Sequence, residues 1–299
     1  MSSKVGGWET WQWDETLFEG AAPFYLKGRL PYAPGLGDAI QNAIGLDGHG
    51  RLLDLGCGPG TVTLRLAHLF AEVVGLDADP GMLSEAVRSA SELGIANANW
   101  VRMRAEDLPA DIGRFRLITL AASFHWMDRP KVAASIKTML DPGGATMQVD
   151  APAYRPPEGE ADSGTLPYPP PPLELIEQLR QRYLGPDRRA GRTIRNTSPS
   201  GEDKIFQDAG FGAAETVAVP DGRVWDRTSD DIVANVFSSS QTVPGLFGNR
   251  LAQFEAELRT LLAQASPSGL FSVILPDNIL RIWRPAPASH AISPMETDA

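Results

Sequence analysis

One stretch constrains this chain more than any other. Leu52-Leu53-Asp54-Leu55 has the look of a buried strand, and it runs directly into Gly56-Cys57-Gly58-Pro59-Gly60 and then Thr61 at the head of a helical-looking segment. Three glycines at alternate positions allow left-handed backbone and a close approach of main chain to a ligand. A strand, a glycine turn and a helix in that order are the opening of a parallel α/β sheet.

The rest of the middle third repeats the alternation. Strands are expected at Arg51 to Leu55, Glu72 to Leu76, about Asn99 to Met103, Phe115 to Ala121 and Ala145 to Val149. Helices are expected from about Gly60 to Phe70, Pro80 to Leu93 and Pro130 to Leu140, with Asp141-Pro142-Gly143-Gly144 as the turn into strand five. Farther on, a helix resumes at about Leu173 and another spans Glu202 to Ala209, followed by a strand from Ala213 to Val219. Thr228 or Ser229 caps a helix through Ile232 and Val236, Leu251 to Leu262 forms another, and a last strand runs from Phe271 to Trp283.

The expected organisation is an N-terminal helical cap at 1–48, rich in aromatics (Trp8, Trp11, Trp13, Phe18, Phe24, Tyr25, Tyr32), and a Rossmann-like core at 49–150. A Pro-rich and helical lid follows at 151–200, then a segment at 201–285 that completes the sheet, and a disordered tail at 286–299. Between Ala151 and Pro172 eight of twenty-two residues are proline, which denies the segment ladder and helix hydrogen bonds and makes it a loop or spacer. The same run is compatible with a polyproline ligand for an SH3-like partner.

Composition narrows the function. The net charge of −10 would repel a phosphate backbone, which argues against nucleic acid or an anionic membrane as partner. No apolar run is long enough to span a bilayer, no basic and apolar leader is visible, and Cys57 is the only cysteine, so a reducing cytoplasm is the expected compartment. The four histidines are scattered, and no metal-ligand spacing is present.

The glycine spacing discriminates between cofactors. A dinucleotide fingerprint needs its third glycine at position 61, where this chain has threonine. Asp54, two residues before the first glycine of the turn, disfavours a pyrophosphate and suits a cationic or amine-bearing ligand.

The segment LLDLGCGPG resembles the glycine loop of class I S-adenosylmethionine-dependent methyltransferases, especially the bacterial small-molecule enzymes, and the resemblance extends over about residues 20 to 285. It implies a doubly wound, seven-stranded Rossmann-like sheet and S-adenosylmethionine as cofactor, with Asp54, Gly56 and Gly58 in the cofactor shell. Asp77, which ends strand two twenty-one residues after Gly56, resembles the acid that binds the two ribose hydroxyls. Because Asp79-Pro80 already supplies a helix cap, Asp77 is left free to accept hydrogen bonds; the other reading is an alternative cap or a solvated loop acid. Ala105, Glu106 and Asp107 resemble the adenine-edge segment, although two acids in a loop also suit a solvated turn. Ala121 to Asp128 resembles an A-x-x-x-H-W-x-D segment beside the methyl donor, which brings in Ser123 and His125. Tyr25 and Arg29, in Tyr25 to Tyr32, resemble an aromatic and an arginine that close over the cofactor, with Leu30 where the family has proline.

The activity so implied is methyl transfer to a small-molecule acceptor by in-line displacement, in a monomer or homodimer. Orientation carries much of the rate in such a reaction, and His125 is either the general base or a wall of the pocket. Cys57 reads as a small buried filler. Six arginines between Arg180 and Arg195 suit either a solvated helix end or attraction of an anionic acceptor. The competing readings are a noncatalytic binding module of the same fold and a nicotinamide dinucleotide enzyme.

Overall fold

The computed structural model describes residues 14–154, 166–187, 189–190, 193–194 and 201–287. The aromatics Trp8, Trp11 and Trp13, most of the Pro-rich segment, Arg188, Arg192 and Arg195, and nearly all of the tail lie outside the described residues.

Five parallel strands form the centre: β1 (Arg51–Leu55), β2 (Glu72–Asp77), β3 (Ala98–Arg102), β4 (Phe115–Ala121) and β5 (Leu140–Val149). Two short strands, β6 (Arg189–Ala190) and β7 (Thr193–Ile194), pair only with each other. Later come β8 (Glu215–Val219), β9 (Val224–Thr228), β10 (Leu270–Ile274) and β11 (Asn278–Trp283). The seven-stranded sheet has the order β3-β2-β1-β4-β5-β11-β8, with β11 antiparallel to both β5 and β8. The strand order reverses between β1 and β4, so the carboxyl ends of these two strands open a crevice.

Local sequence explains the helices. In α4 (Pro80–Glu92), Pro80 occupies the first turn and the Asp79 carboxylate accepts from the Gly81 and Met82 amides at 2.7 and 3.0 Å. Asp128 caps α5 (Arg129–Met139) through the Lys131 amide. Thr228, not Ser229, caps α8 (Ser229–Phe237), in a reciprocal box with Asp231. One face of the sheet is covered by α2 (Leu36–Ile44) and α3 (Thr61–Leu66), the other by α5 and α7 (Glu202–Asp208). Phe206 stacks on Trp283 at 4.3 Å between ring centroids.

A second cluster joins α6 (Leu173–Leu184), α8 and α9 (Leu251–Ala265) around Phe237, Phe247 and Phe254. The short α1 (Ala22–Gly28) docks on α8 through Gly28: a Cβ there would lie 2.4 Å from the Ala234 carbonyl oxygen. The expected N-terminal cap is thus split, with α2 on the sheet and α1 on the C-terminal helices.

Two strand expectations are corrected. Phe271 to Trp283 is two strands, not one: β10 pairs with β9, which sequence reading missed, while β11 enters the main sheet. Pro276-Asp277 breaks the run between them, since proline has no amide to donate. β5 begins at Leu140, so Asp141 to Gly144 is an irregular part of that strand opposite a register shift at Phe115/Leu117.

Candidate active site

The turn after β1 is made by glycines with left-handed backbone, at φ 65° for Gly56, 55° for Gly58 and 78° for Gly60. Space as well as conformation demands glycine here. A Cβ on Gly56 would lie 2.6 Å from the Ser123 Cβ, and on Gly60 2.7 Å from the Trp100 ring. Gly75 in β2 faces the same indole, which a Cβ would meet at 2.4 Å. At Gly58 a Cβ would meet nothing within 4 Å, so that backbone faces open space.

Asp77 ends β2 beside this turn. One of its carboxylate oxygens accepts from the Gly58 amide at 2.8 Å and the other from the Asp79 amide at 2.9 Å, which fixes the group's orientation and leaves a lone pair on each oxygen. Burial pushes its pKa up, partly opposed by those amides.

Asp77, Gly56 and Gly58 line a small cavity of about 70 Å3 together with Tyr25, Ala105, Glu106 and Ser123. Glu106 is buried, and its Oε1 accepts from the Asp128 amide at 2.9 Å. The Ser123 hydroxyl donates to the Leu55 carbonyl at 2.5 Å, tying β4 to β1. Ala122 adopts φ 51°, which a non-glycine residue rarely takes, at the floor between this cavity and the next.

The adjoining chamber, about 380 Å3, shares Phe18, Tyr25, Gly56, Ala122 and Trp126 with the first. Arg29 and His125 lie on its wall. The Arg29 guanidinium packs over the Tyr25 ring at 4.7 Å and donates from Nη2 to the Ser238 carbonyl at 2.5 Å, while its buried Nε has no hydrogen-bond partner. His125 is exposed and packs against Trp126, with ring centroids 4.5 Å apart. Cys57 also lines this chamber and is buried, which pushes its thiol pKa up.

Two expected site residues lie elsewhere. Asp54 does not line either cavity: it is 0% exposed, and its oxygens accept from Thr63 and Thr119 hydroxyls at 2.6 and 2.8 Å. It fastens β1 to α3 and β4. Burial raises its pKa to about 6. Asp107 is exposed and lines a neighbouring groove with Glu15 and Arg102. The arginine cluster also changes meaning, because Arg180 is buried against Glu177 and Arg182 pairs with Glu257.

Sequence reading missed the N-terminal side of the cavity. Leu17 and Phe18 reach over it from the segment before α1, and the Phe18 ring meets Trp126 edge-on at 6.1 Å. It also missed Ser239, Ser240 and Gln241, which line the chamber from the turn after α8. Their placement depends on the docking of α1 on α8, a contact some two hundred residues apart in sequence.

The family described as methyltransferase domain matches residues 52–144, the segment that holds β1 to β4, the glycine turn, Asp77 and Glu106. Over that segment the chain is similar to the methyltransferase domain family. An uncharacterised methyltransferase of Synechocystis is 36% identical over 103 residues, which is 33% of this chain and 46% of that protein. One from Bacillus subtilis is 31% identical over 140 residues, 46% of this chain and 54% of that protein. A trans-aconitate 2-methyltransferase of Deinococcus radiodurans is 33% identical over 108 residues, 35% and 39% of the two chains. The chain spans about half the length, or less, of the curated relatives it matches. Among solved structures, that of a candidate type II methyltransferase from Anaeromyxobacter dehalogenans aligns over 86% of this chain and 99% of its own, with a TM-score of 0.51 at 18% identity. That likeness is one of fold.

Proposed function

We propose that this protein is a methyltransferase that uses S-adenosylmethionine to methylate a small molecule. The observation that carries the reading is Asp77, clamped by two backbone amides on the wall of a cavity floored by the left-handed glycine turn. Its two free lone pairs suit a vicinal diol such as ribose. Open space at Gly58, the buried Glu106 carboxylate at the far wall and the unpartnered Nε of Arg29 beside the turn fit the other parts of such a cofactor: backbone approach, an amine to accept from, and a carboxylate to hold. Bound there, S-adenosylmethionine supplies an electrophilic methyl carbon that leaves its sulfur with the bonding pair remaining on sulfur. The chain's own part is to orient the acceptor, exclude water beneath Phe18 and Trp126, and take the acceptor's proton at His125.

A small acceptor is supported by the confined chamber and by the acidic balance of the chain. One relative is named an RNA methyltransferase, but the shared stretch is only 22% of that protein. No helix among the described residues is long and apolar enough to cross a membrane.

Calorimetry with S-adenosylmethionine, S-adenosylhomocysteine and NAD tests the cofactor. The first two are expected to bind and NAD is not. Asp77→Ala removes hydrogen bonds to a charged acceptor, worth about 1.5 to 3 kcal/mol each, so donor affinity is expected to fall by about ten-fold to more than a hundred-fold. Unchanged affinity in a variant that keeps its far-ultraviolet circular dichroism overturns the assignment.

A further inference from the structure

The chamber beside the glycine turn has an unusual charge inventory. Among its described lining residues Arg29 is the one side chain with a permanent charge, and no carboxylate lines it. Two acids close in sequence to lining residues are engaged elsewhere: Asp54 by Thr63 and Thr119, and Asp150 by Arg281 at 3.7 Å. The cavity on the other side of Gly56 is different, with the carboxylates of Asp77 and Glu106 on its wall. Arg104 lines that cavity too, 3.5 Å from Glu106, so carboxylates stand on one side of the turn while the described lining of the chamber on the other side has none.

On the reading proposed above, Arg29 is taken up by the donor's carboxylate, so among the described residues lining the chamber the acceptor meets neither an acid nor a spare permanent cation. What remains around it is aromatic and neutral polar. Tyr25, Phe18 and Trp126 form a continuous run of edge-on ring contacts, at 6.4 Å between the first two and 6.1 Å between the last two. Facing them, Ser239, Ser240 and Gln241 present hydroxyls and an amide. Their turn is fixed by main-chain bonds, Ser239 N to the Val236 carbonyl at 3.1 Å and Thr242 N to the Ser239 carbonyl at 2.9 Å, and by the bond from Arg29 to the Ser238 carbonyl. Tyr32 adds a phenol at the back of the chamber; burial holds its hydroxyl protonated, so it adds no charge either.

We propose that the acceptor is an uncharged planar ring bearing a hydroxyl, a phenol or enol, bound between the Tyr25–Phe18–Trp126 rings and the Ser239–Gln241 turn. An ammonium acceptor would have to shed water with no carboxylate to replace it, and a carboxylate acceptor would compete with the donor for Arg29; an unpaired buried charge is costly where a neutral hydroxyl is not. In the transfer the hydroxyl oxygen supplies the electron pair of the new oxygen to methyl bond, and its proton goes to the His125 imidazole and then to solvent.

The test uses the full chain saturated with S-adenosylhomocysteine and three probes that share one ring system: naphthol, naphthylmethylamine and naphthoate. Calorimetry is expected to show naphthol bound at least about ten-fold more tightly than either charged analogue, a margin set by the desolvation of an unpaired charge. Gln241→Glu places a carboxylate on the chamber wall and is expected to reverse the order of naphthol and the amine. A charged probe that binds the unaltered protein as well as naphthol does, no saturable naphthol binding, or an unchanged order in Gln241→Glu each overturns the proposal. Failure to bind S-adenosylhomocysteine in the first place falls instead on the methyltransferase reading.

Discussion

Replacing Asp54 by asparagine tests whether this acid holds the sheet rather than the ligand. The side chain is fully buried, and both oxygens are engaged by threonine hydroxyls that can accept as well as donate, so the amide fits the same space. In the folded protein its pKa rises from an ordinary 3.8 to about 6, chiefly through burial. The folded state therefore holds a proton that the unfolded state has released between those values, and stability falls as pH rises through the window. Complete ionisation costs about 3 kcal/mol of stability, of which about 2 kcal/mol is lost between pH 4.5 and 6.5. Above pH 7 the cost is constant. Asp54→Asn removes this slope, so the difference in unfolding free energy, variant minus parent, is expected to grow by about 2 kcal/mol from pH 4.5 to 6.5 in urea melts. Asp77, whose pKa is also raised, is present in both proteins, and only its coulombic interaction with Asp54, the least of the causes of the Asp54 shift, survives in the difference. Parallel pH profiles for the two proteins refute the assignment, as does a hundred-fold loss of donor affinity in an Asp54→Asn protein of full stability.

Gly28→Ala sets a methyl group against the Ala234 carbonyl and the Asn235 amide, main-chain atoms that cannot swing aside. It is expected to cost about 1 to 3 kcal/mol in denaturant melts and to weaken acceptor turnover by shifting the Ser239–Gln241 turn; wild-type stability would show that α1 is not held where the structure has it. His125→Asn is expected to lower kcat by about a hundred-fold to ten-thousand-fold if the imidazole takes the acceptor's proton, with affinity for S-adenosylhomocysteine unchanged. A kcat within a few-fold of the parent would reduce His125 to a wall of the chamber.

Much of the fold was legible from local sequence. Leu52 to Gly60 declared a strand, a left-handed turn and a helix, because only glycine enters those conformations freely, and Asp79-Pro80 and Asp128 to Pro130 marked two helix starts by the same kind of short-range chemistry. Asp77 was legible for a related reason: it ends a strand next to that turn, and register puts it against Gly58. In Phe271 to Trp283 the sequence carries a break at Pro276 but not the partner of either half. Both halves have the same apolar pattern, and which partner each strand takes is decided by pairing with segments far away in sequence.

The chain by itself thus determined the parallel core and the ligand-facing turn, since these rest on backbone conformations and caps set by a few adjacent residues. Tertiary structure decided what surrounds the turn. Asp54 and Asp77 are both strand acids beside glycines, and alternation along the strand with the packing of α3 and β4 sends one into the interior against Thr63 and Thr119 and leaves the other on the cavity wall. Burial, charge balance and the meeting of residues 18, 126 and 239–241 are properties of distances across the fold, which no local pattern encodes.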